Sequence, residues 1–202
     1  MKNYYDKTAT NYDEKWRTFT DSTVVTMLEV LTKEGVAYES VLDYACGTGT
    51  VLKALAETES GVIFYGIDPS EGMRRCAIDK LRNYNVKIFS SLKEVSVDSV
   101  DLIVCTNALH HFGDPYSTIK KLVSLLRKDG YLYISDYSKA SVLPRYFKWI
   151  IRLLDDSHTQ SYYQNEAREL LVRLPDMKMV AQEKMRLSRL WWGFAFLLQK
   201  NR

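Results

Sequence analysis

The sequence predicts an α/β domain, a doubly wound sheet with helices on both faces, and three observations lead there. Short apolar runs rich in β-branched residues recur along the chain, stretches of helical period separate them, and the last two runs stand a couple of residues apart, as in a hairpin. The first five runs are Val41–Ala45, Val62–Ile67, Val86–Phe89, Val100–Cys105 and Tyr131–Ile134. Their apolar character is continuous rather than alternating, the pattern of strands buried on both faces of a parallel sheet.

Each element has its own signals. Residues 21–34, with Val24, Val25, Met27, Leu28 and Leu31, read as a helix packed ahead of the first strand. After Val41–Ala45 comes a turn, Cys46-Gly47-Thr48-Gly49-Thr50, and then a helix carrying Val51, Leu52 and Leu55. Pro69-Ser70 precedes a stretch with Met73, Ala77 and Leu81 on one side. Asp114-Pro115 supplies an N-cap with proline at the first helical position; Ile119, Leu122, Val123 and Leu126 form one face, and Gly130 stands where a C-terminal glycine belongs. About thirty residues of helical pattern follow Tyr137, longer than an ordinary connection. Met177–Leu187 and Leu190–Leu198 close the chain as an antiparallel hairpin.

At 202 residues the chain suits one domain with a core of its own. The 46% hydrophobic content excludes a disordered or collagen-like chain. With 28 basic against 25 acidic residues the balance is not that of a dedicated nucleic-acid binder, and none is expected as partner. Cys46, Cys76 and Cys105 stand alone, as reduced thiols of a cytoplasmic protein do, and form no metal-ligand cluster. Met1–Trp16 has no apolar h-region, so no signal peptide is expected, and the longest apolar run, Leu190–Leu198, is half of what a membrane span needs.

The turn after the first strand is the most informative segment. Gly47 and Gly49 allow backbone to approach a ligand closely, and the helix that follows offers free N–H groups and the positive end of its dipole. The third glycine of the dinucleotide fingerprint would fall at position 52, which is Leu52, so the pyrophosphate cradle is incomplete. Asp68 ends the second strand, where a carboxylate can hold both hydroxyls of a ribose. A ligand with a ribose and no pyrophosphate fits this pattern, which disfavours a nicotinamide-nucleotide oxidoreductase.

These residues carry a family resemblance. Val41 to Thr50 resembles motif I of the class I S-adenosylmethionine-dependent methyltransferases, and Gly66-Ile67-Asp68-Pro69-Ser70-Glu71-Gly72-Met73 resembles their second motif. Asp101 to Phe112 is similar to their fourth strand and its loop, and Leu125 to Leu132 to the approach to the fifth. The resemblance runs in order over roughly residues 4–198 and is closest to the small-molecule branch that includes ubiquinone and menaquinone methyltransferases. It implies a Rossmann-like seven-stranded sheet of order 3-2-1-4-5-7-6 with strand 7 antiparallel, and S-adenosylmethionine as cofactor. It also implies one domain throughout, with 1–36 an N-terminal cover and helix, 37–137 the cofactor-binding core, 138–170 a helical substrate cover and 171–202 the hairpin.

Carried over by position, Asp43, Ala45, Gly47 and Gly49 belong to the first motif, and Gly47 and Gly49 line the methionine moiety. Asp68 binds the ribose beside Pro69, Met73 packs on the adenine with Ser90 and Leu92 nearby, and Asn107 contacts the methionyl end. The N-terminal pattern Tyr4-Tyr5-Asp6 to Tyr12-Asp13 folds over the cofactor, with Tyr12 reaching its carboxylate. Two positions depart from the family: Ala45 replaces the first glycine, and Ser90-Ser91-Leu92 lacks the acidic residue that usually reaches the adenine amino group.

The acceptor side is less defined. Methyl transfer from a sulfonium is an in-line displacement that depends mostly on alignment, and a base is needed only if the nucleophile is protonated. His110 and Tyr137 are the candidates for such chemistry; His110 is expected to face the substrate cavity while His111 braces the loop toward Phe112 and Asp114. His158 reads as a surface residue. In residues 143–154, Arg145, Lys148 and Arg152 form a basic stripe opposite Leu143, Phe147, Ile150, Ile151 and Leu154, an amphipathic helix that reads as a lid or as a contact for an anionic substrate or membrane surface. A small-molecule acceptor, aromatic or anionic, methylated on carbon or oxygen, is the reading by elimination. A module that binds the cofactor without catalysis remains the alternative.

Overall fold

The structure, a computed structural model, describes residues 2–95, 100–141, 160–189 and 191–201. Its seven strands are β1 (Ser40–Tyr44), β2 (Ile63–Ile67), β3 (Val86–Phe89), β4 (Val100–Thr106), β5 (Leu126–Tyr137), β6 (Met177–Arg186) and β7 (Trp192–Lys200), in the order β3-β2-β1-β4-β5-β7-β6. The first five pair in parallel, and β7 runs antiparallel to both β5 and β6. The order and the antiparallel strand are those the resemblance implies.

Burial explains the continuous apolar runs. Leu42, Ile103, Cys105, Leu132 and Ile134 face one layer of helices, α4 (Pro115–Leu125) and α5 (Gln164–Val172), against Ile119, Leu122, Ala167 and Leu171. Their strand neighbours Val41, Leu102, Val104 and Tyr133 face the other layer. That layer comprises α1 (Lys2–Lys33), α2 (Thr50–Thr58) and α3 (Glu71–Leu81), and contributes Met27, Leu31, Leu52, Leu55, Ala77 and Leu81. With side chains alternating across a strand, two apolar layers require every position to be apolar. The caps read from sequence form: the Ser70 side chain accepts from Met73 N, and Asp114 accepts from Ser117 N.

Three elements differ from expectation. The helix predicted over 21–34 is the second half of a single helix that begins at Lys2, because the polar first half finds its partners across the ligand cavity and not in the core. The fifth strand begins at Leu126 rather than Tyr131, so Gly130 is no helix C-cap. Asp129 takes the left-handed conformation there (φ 62°), and Gly130 sits where a side chain would meet the Arg127 and Asp101 carbonyl oxygens at 3.0 Å. The register shift between Val100 and Leu102 accommodates this irregular start. The hairpin forms as Met177–Arg186 and Trp192–Lys200. The amphipathic segment 143–154 and His158 lie outside the described residues.

Candidate functional site

A cavity of about 560 Å³ opens at the C-terminal ends of β1, β2, β3 and β4, where an open α/β sheet binds its ligands. Its floor is the turn after β1. Ala45 (φ 64°) and Gly47 (φ 55°) both adopt left-handed backbone; glycine does so freely, whereas Ala45 carries roughly 1 kcal/mol of strain. Ala45 and Gly47 line the cavity. Gly49 does not: it turns toward α3, where an added Cβ would lie 2.7 Å from Leu81 Cδ1 and 3.2 Å from Ala77 Cβ. Its lack of a side chain lets the turn pack on α3.

Asp68 lines the cavity from the end of β2 and is 7% exposed. Its Oδ2 accepts from Gly47 N at 2.9 Å and its Oδ1 from Ser70 N at 2.8 Å, so one carboxylate joins the turns that follow β1 and β2. Burial pushes its carboxyl up, against those two bonds. Asp43, one strand away in β1, is 1% exposed, and neither oxygen has a partner among the described residues. Burial, with the Asp68 charge adding, pushes its carboxyl up to about 8. Asp43 lies behind the wall rather than in it.

Asn107, past β4, holds a left-handed conformation (φ 51°) fixed by its N–H donating to Ser135 O at 2.8 Å. Its Nδ2 donates to Thr23 Oγ1 in α1 at 3.0 Å, which leaves Oδ1 buried and without a partner among the described residues. Asn107 lines the cavity, as do Pro69 and Met73 beyond β2 and Ser90, Ser91 and Leu92 beyond β3. The Ser90 and Ser91 hydroxyls both donate to the Glu94 carboxylate.

The first half of α1 closes one side, and its side chains repeat at a spacing of seven residues. Tyr5 and Tyr12 face the cavity, while Asp6 and Asp13, next to them in sequence, fasten the helix across it. Asp6 Oδ1 accepts from Ser70 Oγ at 2.6 Å and from Gly72 N at 2.8 Å, at the start of α3. Gly72 has no room for a side chain, since a Cβ would stand 2.8 Å from the Asp6 backbone. Asp13 accepts from Thr48 Oγ1 at 2.5 Å and from Lys80 Nζ at 2.7 Å, and Lys80 also donates to Thr50 Oγ1 at 2.6 Å. Burial raises the Asp13 carboxyl, but the Lys80 and Thr48 bonds outweigh it and hold the group below its ordinary value. The Tyr-Asp repeat is visible in the sequence but the two clamps are not, and the signal that points to them is the seven-residue period.

The histidine pair is arranged opposite to expectation. His111 lines the cavity, with Nε2 paired to Tyr5 OH at 2.8 Å. His110 is 8% exposed and is not among the lining residues. Its backbone N–H donates to Asp136 Oδ2 at 2.9 Å, its Nδ1 lies 2.9 Å from both Asp136 oxygens, and its ring packs on Tyr137 at 4.8 Å. The physical reason is the 3₁₀ turn Leu109–His111 after β4, in which successive side chains point about a third of a turn apart and Asp136 captures the first of the two rings. Tyr137 is likewise not among the residues that line this cavity, and its OH stands 3.5 Å from Ser161 Oγ. Among the described residues no cluster of three or more His, Cys, Asp or Glu is placed to hold a metal ion, and no helix is long and apolar enough to cross a membrane.

Comparison with known proteins agrees with this geometry. The sequence matches the methyltransferase domain family over residues 12–176. An uncharacterized methyltransferase of Anoxybacillus flavithermus is 33% identical over 135 residues, 65% of this chain and 61% of that protein. A malonyl-[acyl-carrier protein] O-methyltransferase of Acetivibrio thermocellus is 25% identical over 74% of this chain and 53% of its own length. The chain thus spans about three fifths of the length of the curated relatives it matches. Among solved structures, a methyltransferase in complex with the Trm112 methyltransferase activator of Haloferax volcanii superposes with a TM-score of 0.79 at 17% identity, over 100% of both chains. The magnesium protoporphyrin IX methyltransferase of Synechocystis PCC 6803, solved with bound S-adenosylhomocysteine, gives 0.70 at 18% identity over 94% of this chain and 87% of its own. At such identities the structural likeness speaks for the fold alone. The sequence match runs from Tyr12 in α1 to Asp176 just ahead of β6, through every strand whose end lines the cavity, and the chain belongs to the methyltransferase domain family.

Proposed function

We infer that this protein transfers a methyl group from S-adenosylmethionine to a small-molecule acceptor. The observation that carries the reading is a cavity lined by both Asp68 and Asn107, the latter with its Oδ1 buried and without a partner among the described residues. A buried acceptor without a donor is costly, and the α-ammonium of a methionyl group is a donor that relieves it. Asp43, just behind, adds a second acceptor for that cation, directly or through water. Asp68, with lone pairs left beyond its two backbone bonds, would hold the ribose hydroxyls, and Met73 and Leu92 would flank the base. No pyrophosphate cradle is present, since Leu52 fills the place of a third glycine.

S-adenosylmethionine, when bound, supplies an electrophilic methyl group whose transfer discharges the sulfonium. What the chain's own residues contribute is alignment and exclusion of water: Tyr5, Tyr12, Tyr44 and Phe112 give the cavity an aromatic wall. For an acceptor that must lose a proton, the Tyr5–His111 pair brings an imidazole to the wall and takes the role expected of His110. His110, held by Asp136, then positions that loop. The named substrate of one sequence relative, the malonyl-[acyl-carrier protein] of an O-methyltransferase, supports a non-nucleic-acid acceptor methylated on oxygen. Three unpaired cysteines, two of them buried, support residence in the reducing cytoplasm.

Calorimetric titration with S-adenosylmethionine, S-adenosylhomocysteine, NAD and NADP tests the reading. The first two are expected to bind and the last two not; tight binding of NAD alone would sink the proposal. Turnover with a panel of phenols and carboxylic acids separates a catalyst from a module that only binds.

A further inference from the structure

The far end of the cavity, beyond β3, lacks the acidic side chain expected beside an adenine and has two serines instead. Ser90 and Ser91 both line the cavity, and both hydroxyls donate to one carboxylate, that of Glu94 in the 3₁₀ turn Leu92–Glu94. A serine hydroxyl has one proton and two acceptor lone pairs, and an ionised carboxylate can only accept. The Ser90 hydroxyl, with Ser91 adding, holds the Glu94 carboxyl below its ordinary value, so Glu94 is an anion at neutral pH. Each serine has therefore committed its only side-chain proton away from the cavity, and what it presents inward is lone pairs.

We propose that Glu94, by taking the protons of Ser90 and Ser91, turns these two hydroxyls at the β3 end of the cavity into acceptors that select a base with an exocyclic amino group. Glu94 is a positioning residue here: it is exposed, is not among the lining residues and acts through the serines. The placement follows from the sheet. β3 lies next to β2, so a nucleoside whose ribose sits at Asp68, the end of β2, directs its base past Met73 toward the end of β3. This step rests on the cofactor reading above and adds to it the group that recognises the base. The device differs from a carboxylate in direct contact: the charge stays in solvent, and a neutral hydroxyl of fixed polarity meets the ligand. It rejects a base that carries a carbonyl at the same position, because two acceptors would then face each other without a proton between them.

The test compares S-adenosylhomocysteine with S-inosylhomocysteine, which has a carbonyl in place of the amino group, by titration calorimetry on the purified protein. The parent is expected to favour the adenosyl ligand by tenfold or more. Glu94→Ala releases the serine hydroxyls to donate, so the inosyl ligand should gain at least threefold in affinity. A gain of this kind is not produced by structural damage. Ser90→Ala removes one of the two acceptors, so the adenosyl ligand should lose affinity several-fold while the inosyl ligand changes little. Glu94→Gln keeps a carbonyl acceptor for the hydroxyls and should retain the preference. Because Glu94 is exposed, its variants are expected to melt like the parent. Adenosyl and inosyl ligands binding within twofold of each other on the parent would overturn the proposal while leaving the cofactor reading intact, as would an unchanged ratio in Glu94→Ala. Failure of folded parent protein to bind S-adenosylhomocysteine at all would overturn both.

Discussion

Asp43 makes the ligand-free fold sensitive to alkali in a way that one substitution should remove. Its carboxyl is pushed from the ordinary 3.8 to about 8 in the folded chain, by burial first and the Asp68 charge second. Between those two values the unfolded chain has released a proton that the folded chain keeps, so stability falls as pH rises and stops falling only above the folded value. Integrating from pH 7 to pH 9.5 gives a loss of about 1.4 kcal/mol, or roughly 3–6 °C in melting temperature for a chain of this length. Asp43→Asn keeps the shape and polarity of the protonated acid without titrating, so it should already melt above the parent at pH 7, and the gap should widen by about 1.4 kcal/mol at pH 9.5. Melting both proteins at the two pH values and taking the difference of differences cancels the titration of lysines and tyrosines common to both. The same proton should leave when a cationic ammonium binds nearby. At pH 7, S-adenosylhomocysteine binding to the parent should release close to one proton, read from calorimetry in buffers of different ionisation enthalpy, and none in Asp43→Asn. Parallel pH profiles for parent and variant would refute the reasoning, because they would mean that Asp43 is already ionised when buried.

Other expectations follow from the geometry. Asp68→Asn should weaken S-adenosylhomocysteine binding by an order of magnitude or more, since it replaces a charged acceptor facing the cavity, and titration calorimetry reads this directly. Gly49→Ala places a Cβ against Leu81 and Ala77 at φ 80° and should cost about 2 kcal/mol or more, visible as a lower melting temperature. His110→Ala leaves Asp136, 1% exposed, without its ring partner and should cost about 1–3 kcal/mol, whereas His111→Ala should melt close to the parent; the reverse order in thermal melts would restore the assignment read from sequence. Asp13→Ala unfastens α1 from Thr48 and Lys80; because the carboxylate is half exposed, about 1 kcal/mol of stability is at stake, and the clearer readout is a several-fold faster dissociation of S-adenosylhomocysteine in stopped flow.

The strands were legible because burial on both faces leaves no room for alternation: Val41-Leu42 and Leu102-Ile103-Val104 each serve two cores at once. Asp68 was legible for the complementary reason, as a carboxylate at the end of an apolar run, and Asp43 through the resemblance of its segment to the first motif. The first half of α1 was not, because a helix announces itself by an apolar stripe, and this stretch is held by Asp6 and Asp13 reaching partners in α3 and the glycine turn. The start of β5 was hidden by Gly130, whose position after a helical pattern imitates a cap, while the left-handed residue is Asp129. Which histidine faces inward depends on the phase of a three-residue turn and on Asp136 arriving from β5, and neither can be counted along the chain. The Glu94 pairing escaped because the acid sits four residues past Ser90, beyond the place where a contacting carboxylate is sought.

The long helix α1 has a mechanical consequence. Its C-terminal half is anchored in the core by Met27, Val30 and Leu31, and its N-terminal half carries Tyr5 and Tyr12 to the cavity. At 1.5 Å per residue, Tyr12 stands about 22 Å and Tyr5 about 33 Å from Met27 along one stiff rod. A tilt of about 10° at the anchored end would carry Tyr12 some ~4 Å and Tyr5 some ~6 Å, a displacement comparable to the width of an aromatic ring, while the core contacts hardly shift. The two aspartates sit at different radii on this lever: Asp13, nearer the fulcrum, grips the glycine turn, and Asp6, farther out, grips the start of α3. Torque applied at the tip therefore loads the Asp6 contacts first, and the order in which the two grips yield is set by their distance from the pivot as much as by their strength.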